Sequence, residues 1–350
     1  MNRVKILTSM VIFFTVLTGN IFAQGEAGAE FLLISPGARA GGMGEANVAI
    51  ANDATSVFWN PAGLANIEGH EFSIMHSNWL PQFNLSDLYY DFASYVHQVE
   101  DVGTFGISAT YLNLGEQIRT GEHGEELGTF SAYNMAVGVS YGTKIREDMN
   151  VGLTVKYLHL KLADYGTGEE KGKGSGSSVA VDFGVLYKPQ FNNKLTLGAN
   201  LSNMGPKIAF VDAAQADPIP TNLKVGVAYQ LLERRYNKLV ATVDFNKLLV
   251  VKHMDGSSDP FYKAIFTAFT NEHSRSLKRI GTAVGFEYWY SNLIALRFGH
   301  FYEDIGKRRF WTFGGGIRYS IYGFDFGYIA ANKEGSPLAD TMRFSLSFIF

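Results

Sequence analysis

The 350 residues carry 18% charged side chains and a formal net charge of −3, and no basic stripe marks a nucleic-acid footprint. There is no Cys, which excludes disulfides, a thiolate metal site and the lipidated Cys of a lipoprotein. Gly, Tyr and Phe together number 83, a bias towards strands and turns.

The first 23 residues read as a signal peptide. Arg3 and Lys5 form the positive start, Ile6 to Leu17 the apolar core, and Ala23 ends a cleavage site before Gln24, with Ile21 bulky for the −3 position. About 12 apolar residues are too few to span a bilayer as a helix, which needs roughly 20. No other segment offers a spanning helix. A membrane protein with this sequence must therefore be a closed barrel, which alone satisfies its backbone polar groups in lipid without helices.

Residues 24–68 lack period-two alternation. They run through Ser35-Pro36-Gly37-Ala38-Arg39-Ala40-Gly41-Gly42-Met43-Gly44-Glu45-Ala46 and Asp53 to Trp59-Asn60-Pro61-Ala62-Gly63-Leu64. Gly-rich backbone permits close packing, and Asn60-Pro61 forms turns. The segment is expected to fold as a plug in the lumen of a barrel over 69–350.

From about residue 70 the chain alternates with a period of two. Phe105, Ile107, Ala109 and Tyr111 share one face, as do Val151, Leu153, Val155 and Tyr157 around Thr154 and Lys156. Phe344, Leu346, Phe348 and Phe350 close the chain in the same pattern. An apolar face with aromatic ends, opposed by Gly, Ser, Thr and isolated charges, predicts a transmembrane outer-membrane β-barrel of about 14 antiparallel strands, all-β in class. A soluble sandwich also alternates. It has no reason to sort its loops by parity, whereas here short connections such as Arg146-Glu147-Asp148 and Ser291-Asn292 alternate with long ones such as Gly115 to Gly128, Met204 to Pro220 and Val250 to Lys278. The aromatic last strand resembles the signal that barrel-assembly machinery recognises.

The charges expected in the lumen are Asp91, Lys156, Asp182, Lys224, Asp244, Glu287, Arg297, Arg318, Asp325 and Arg343. A selectivity filter calls for rings of one sign. Mixed signs favour ion pairs that hold a plug, with Arg39, Glu45 or Asp53 as partners. The outer loops are expected to make the partner contacts, through Pro206, Phe210 and Asp212 in one and Phe261, Ile265, Phe266 and Phe269 in the other. The last four recur at roughly helical spacing after Asp259-Pro260, which predicts an amphipathic helix covering the barrel mouth or, second, gripping a partner. Ala163 to Gly176 is Gly/Ser/Lys-rich and reads as a mobile loop.

The run ARAGGMGEANVAIANDATSVFWNPAGLA resembles the N-terminal signature of the PorV/PorQ family, similar in turn to FadL-type barrels with 14 strands and an N-terminal hatch. The resemblance spans the signal peptide, the hatch motif (Arg39, Gly41, Gly42, Met43, Gly44, Asp53, Asn60, Pro61 and Gly63), the strand count and the terminal Phe350. It implies an outer-membrane part in the type IX secretion system of Bacteroidota-like bacteria. PorV-like members shuttle the C-terminal domain of exported cargo from the translocon to the attachment complex. A FadL-like transporter of hydrophobic small molecules is the alternative. The mixed-charge lumen leans to the first and the hatch keeps the second open.

No catalysis, cofactor or metal is expected. Gly314-Gly315-Gly316 and Gly41 to Gly44 lack the strand-to-helix context of a phosphate loop and read as strand thinning or plug packing. His76, His97, His159 and His300 lack metal-ligand spacing, and His123 among Glu122, Glu125 and Glu126 reads as a solvated loop.

Overall fold

A computed structural model describes residues 27–83, 85, 87–121, 123–163, 174–210, 215–253, 255–271, 277–331 and 337–350. The expected signal peptide, most of the 163–176 loop and Asp212 lie outside these residues. Period-two alternation gives fourteen strands: β1 (His70–Asn78), β2 (Leu88–Val99), β3 (Gly103–Thr120), β4 (Glu126–Arg146), β5 (Met149–Lys161), β6 (Ser175–Tyr187), β7 (Leu195–Met204), β8 (Asn222–Arg234), β9 (Asn237–Leu248), β10 (Ile280–Tyr290), β11 (Ile294–Glu303), β12 (Arg308–Tyr319), β13 (Tyr322–Ala331) and β14 (Met342–Ile349). Each pairs antiparallel with its neighbours in sequence, and β1 pairs with β14 to close the barrel. No sheet edge remains unpaired along the circumference.

Connections at one end are short, at 100–102, 147–148, 235–236, 291–293 and 320–321, with 188–194 the longest. At the other end they reach 205–221 and 249–279. Bacterial barrels keep short turns periplasmic, so these are named the periplasmic and outer ends. The strands β3 and β4 continue past a register shift between Asn113 and Glu116 into a hairpin that stands above the outer end.

The alternating apolar set points outward. Ile107, Val139, Val155, Phe183, Leu296 and Phe313 are all exposed on the barrel wall. Rows of rings girdle it, with Tyr89, Tyr111, Tyr133 and His159 in successive contact at 6.2, 5.5 and 6.0 Å. Such girdles sit at the two interfaces of a bilayer. The strand β2 inverts the expected sense. Leu88, Tyr90 and Phe92 are buried inward, and Asp91 faces out to His76 at 2.7 Å. Asp91 is therefore not a lumen charge, because the apolar face of β2 is needed inside to pack on the plug.

Residues 27–69 fill the lumen. Two short helices, α1 (Ala38–Gly41) and α2 (Ser56–Trp59), are joined by tight turns to a 3-10 segment over Pro61–Asn66. A barrel of 14 strands is too wide for its own side chains to fill, so this segment supplies the core. Phe31, Leu32, Val57 and Leu64 pack against inward Tyr90, Phe92, Leu112, Leu158 and Leu160.

The plug reaches the wall through glycine. A Cβ at Gly285 would lie 2.6 Å from the Met43 carbonyl, one at Gly314 3.0 Å from Gly42 Cα, and one at Gly327 2.7 Å from the Ala38 carbonyl. At Gly299 it would overlap the peptide joining Met43 to Gly44. Gly142, Gly152 and Gly184 face Pro61 in the same way. Gly315, one residue from Gly314, would meet nothing nearer than 3.9 Å. Gly299→Ala should therefore destabilise the plugged barrel by about 1–3 kcal/mol through overpacking, while Gly315→Ala changes little. The temperature at which the folded band is lost in heat-modifiability gels measures both. Equal behaviour of the two variants would refute the seat.

Candidate functional site: a latched plug between two vestibules

The plug-motif residues act by position. Gly44 takes φ 66°, a left-handed turn, and donates its N–H to Thr312 Oγ1 at 2.7 Å. Gly41 leaves room for the Arg343 side chain, 3.0 Å from where a Cβ would be. Met43 is fully buried. Asn60 bridges plug and wall: its Nδ2 donates to the Val48 and Val185 carbonyls at 2.9 and 3.1 Å, and its Oδ1 accepts from Ala62 N–H. Pro61 opens the 3-10 turn, where its missing N–H costs nothing. Gly63 lies against the Ala51 carbonyl. Trp59 is buried, donates Nε1–H to Pro36 O at 3.1 Å, and carries the Lys224 ammonium 4.3 Å above its ring.

Arg39 starts a chain of alternating charge. It holds Asp53 within the plug at 2.7 Å and forks onto Glu287 of β10 at 2.8 and 2.9 Å. Glu287 also accepts from Arg297 of β11 at 2.7 Å, Arg297 reaches Asp325 of β13 at 2.7 Å, and Asp325 meets Arg318 of β12 at 2.6 Å. The Arg297 side chain is wholly shielded from solvent. A second contact joins Glu45 to Arg343 of β14 at 2.8 Å. On the other side Asp244 of β9 accepts the N–H groups of Asn47 and Val48 at 2.7 and 2.8 Å. Lys156 and Asp182 pair across β5 and β6 at 2.8 Å. Nine of the ten expected charges thus face the lumen, and four of them (Glu287, Arg343, Asp244 and Lys224) touch the plug directly. Asp53 engages Arg39 rather than the wall.

Buried ion pairs are weak sources of net stability, because desolvation offsets the attraction, but breaking one leaves an uncompensated charge. The chain therefore fixes where the plug sits. The large apolar partners of the plug lie mainly on β2–β5, where Lys156 also pairs with Asp182 of β6, whereas β10–β14 carry the ionic chain beside a smaller apolar cluster of Ala46, Phe301, Phe310 and Ile329.

Two vestibules flank it. The outer one, about 800 Å³, is lined by Phe31, Ile34, Leu112, Leu160 and Phe210 on one side and by Glu45, Arg308 and Arg343 on the other. The periplasmic one, about 700 Å³, is lined by Arg39, Asp53, Glu71, Lys144 and Glu287 among others.

Both outer loops, where described, pack against the barrel. The 205–221 connection folds inward: Ile208 and Ile219 are buried in the plug core, and Gly28 N–H donates to Pro218 O at 3.0 Å. Phe210 packs against that core, while Pro206 stays exposed. The expected helix forms as α3 (Phe261–Thr267), but it does not cover the mouth. Its Ile265 and Ala268 pack with Leu249 and Val251 on Leu201 and Leu223, which lie on the outward faces of β7 and β8. The helix is clasped to the outside of the wall. Phe266 turns away from it, Phe269 lies past the helix end with the Lys247 ammonium of β9 5.4 Å from its ring, and Phe261 lies half-buried. The hydrophobic staple that draws α3 outward was hidden in sequence because Leu201 and Leu223 read as lipid-facing.

Asp259 ties the clasp. It accepts from Lys263 Nζ at 2.7 Å, Thr267 Oγ1 at 2.8 Å and His253 Nε2 at 3.1 Å. Burial pushes its carboxyl up, but these hydrogen bonds outweigh burial and bring it down to about 2. A folded value below the unfolded one means stabilisation present above roughly pH 4 and lost as pH falls towards 2. Limited proteolysis of the 250–271 segment should accelerate across that window, and Asp259→Asn should remove the pH dependence. For the latch, Arg39→Ala should cost about 3–5 kcal/mol, because it takes from Asp53 its ion-pair partner and from Glu287 one of two, whereas Arg39→Met with Glu287→Leu should cost less. Heat-modifiability again reads both. An equal or larger loss in the double variant would contradict the pairing.

Among the described residues, no helix is long and apolar enough to cross a membrane, and no three His, Asp or Glu side chains group to hold a metal ion. No curated protein matches the sequence. Among solved structures, the toluene transporter TbuX of Ralstonia pickettii superposes with a TM-score of 0.54 at 14% identity, covering 91% of this chain and 100% of that one. The Pseudomonas putida toluene transporter TodX does so at 0.52 and 14%, covering 89% and 96%. A TodX variant described as a monoaromatic hydrocarbon channel reaches 0.57 at 15%, covering 90% and 99%. At these identities the likeness is one of fold, an outer-membrane barrel. Residues 24–255 match the family described as type IX secretion system protein PorV, which takes in the plug, its latch residues Arg39 and Asp53 and the strands through β9, and the chain belongs to that family.

Proposed function

We propose that this protein is a non-catalytic handling component of type IX secretion that receives the C-terminal domain of exported cargo at its outer end and passes it on for surface attachment. The plugged lumen is the observation that carries this reading. A segment seated on glycine backbone and tied by buried charge leaves no side-chain-lined bore to conduct through, so business with a large partner belongs at the rim. The rim has the surface for it. Phe83, Leu85, Ile118, Leu127 and Ile305 are all exposed around the mouth and on the β3–β4 hairpin, apolar groups that a docked partner would cover. Pro206 adds to this rim. Phe210 lies deeper, in the outer vestibule, where it can meet an inserted side chain.

A FadL-like transporter of hydrophobic small molecules is the second reading. The outer vestibule favours it. Its volume falls in the roughly 300–1,000 Å³ range of ligand pockets, and its Phe31, Leu112, Leu160 and Phe210 wall is apolar. The structural neighbours carry toluene in their descriptions.

Affinity purification of the tagged protein from its native outer membrane separates the two. Cargo C-terminal domains or secretion subunits are expected in the eluate. Ile118→Asp with Leu127→Asp should cut cargo capture about tenfold, the equivalent of about 1.4 kcal/mol, without lowering barrel stability. Recovery of the barrel without secretion proteins, but with hydrophobic molecules in the lumen, would overturn the secretion reading in favour of transport.

A further inference from the structure

The side of the barrel beneath α3 holds a cavity of its own. It measures about 260 Å³ and lies between the 205–221 connection and the helix, lined mainly by Pro206, Ile219, Leu249, Val250, Phe261 and Ala264. That is smaller than a pocket that encloses a whole drug-sized ligand, and suits a chain segment. Its inner end meets the plug core at Ile219, while its outer end opens between Pro206 and Tyr262, both exposed. The cluster that seats α3 includes Leu201 and Leu223, which share the outward faces of β7 and β8 with Leu197 and Val225 of the exposed wall. The pocket shares Leu249 with that cluster and so lies beside the wall that meets lipid.

The height fits as well. Leu201 and Leu223 stand within a few residues of the outer ends of their strands, Met204 and Asn222. The helix lies against the wall at the outer rim, where the bilayer passes from acyl chain to headgroup. On its free side Tyr262 and Phe266 are 65% and 74% exposed. Their spacing of four residues puts them along one stripe of a helix. Lys207 and Lys263 flank the pocket. Lys207 Nζ donates to Ser258 O at 2.8 Å and Lys263 Nζ to Asp259 at 2.7 Å. An ammonium has three donors, so each retains capacity for a phosphate. Aromatic rings and lysines on a short amphipathic helix are what binds an interface with anionic lipid.

We propose that this pocket holds the end of one acyl chain of an anionic outer-leaflet lipid, with α3 lying in the interface and Lys207 and Lys263 at the headgroup phosphate. Occupancy keeps α3 on the wall and closes the shallow upper part of the β6–β7 seam, where only Val181 pairs with Met204 above the register shift. The proposal rests on the outer-membrane placement and not on the secretion role.

Two measurements on the full chain test it. The protein is reconstituted in phosphatidylcholine–phosphatidylglycerol vesicles with or without brominated acyl chains, and the emission added by Phe266→Trp over the parent is compared. Bromination should quench most of that added emission, and an unquenched signal overturns the placement of α3 in lipid, including the case in which the helix serves a protein partner. Native mass spectrometry of the protein after detergent exchange should show one retained phosphatidylglycerol per chain. Pro206→Trp, at the exposed rim, and Lys207→Glu should each lower that retention about tenfold while heat-modifiability stays unchanged. Absence of retained lipid on the parent, or retention unaffected by Lys207→Glu, overturns the pocket.

Discussion

The structure depends on the approach of one backbone to another inside a cylinder too wide to fill itself. Fourteen strands enclose more space than their own inward side chains occupy, so the first ordered segment of the chain must become the core. It does so by bringing main chain to main chain at Gly285, Gly299, Gly314 and Gly327, where any side chain would hold the two apart. Glycine sets the distance and charge sets the position. Arg39 has one productive place, between Asp53 and Glu287, and Glu287 is itself held there by Arg297. Ion pairs of this kind add little net stability but penalise every misplaced arrangement, which suits them to fixing a register.

The two halves of the wall divide the work. On β2–β6 the plug packs on Tyr90, Phe92, Leu112 and Leu158, with hydrogen bonds from the Tyr90 hydroxyl to the Ile34 carbonyl and from Asn60 Nδ2 to the Val185 carbonyl. On β10–β14 it meets charged partners, Glu287 and Arg343. The first described residues follow the apolar half up to the mouth, where Gly28 is tied to the inward-folded 205–221 connection. Plug and outer loop are therefore one packed body, and whatever acts on that loop is felt at the head of the plug.

Much of this was legible in the sequence because period two and lipid exposure are the same statement. Once Val151, Leu153, Val155 and Tyr157 face lipid, Lys156 must face the lumen, and the loop parity follows. Asp91 escaped that logic because its neighbours Tyr90 and Phe92 are greasy for the plug's sake, and a single strand cannot tell a greasy interior from a greasy exterior. The glycine seat leaves a trace in the sequence: Val284-Gly285-Phe286, Phe298-Gly299-His300 and Phe326-Gly327-Tyr328 each place Gly at the inward step between outward-facing larger residues. The position of α3 was not readable. Its partners Leu201 and Leu223 lie about 40 to 70 residues away and look like every other lipid-facing leucine.

The energetics of the latch bear on what the barrel does with its lumen. To open a path along the barrel axis the plug must leave its seat, which parts Arg39 from Glu287 and Arg343 from Glu45 in surroundings that water reaches poorly. Each separated ion carries a desolvation penalty of several kcal/mol, and the Asp244 carboxylate would lose two main-chain donors as well. Nothing of that kind opposes exchange at the outer vestibule, whose apolar wall and exposed rim are already formed. Under the proposed secretion role only that end is needed, and a lumen that stays shut is compatible with it.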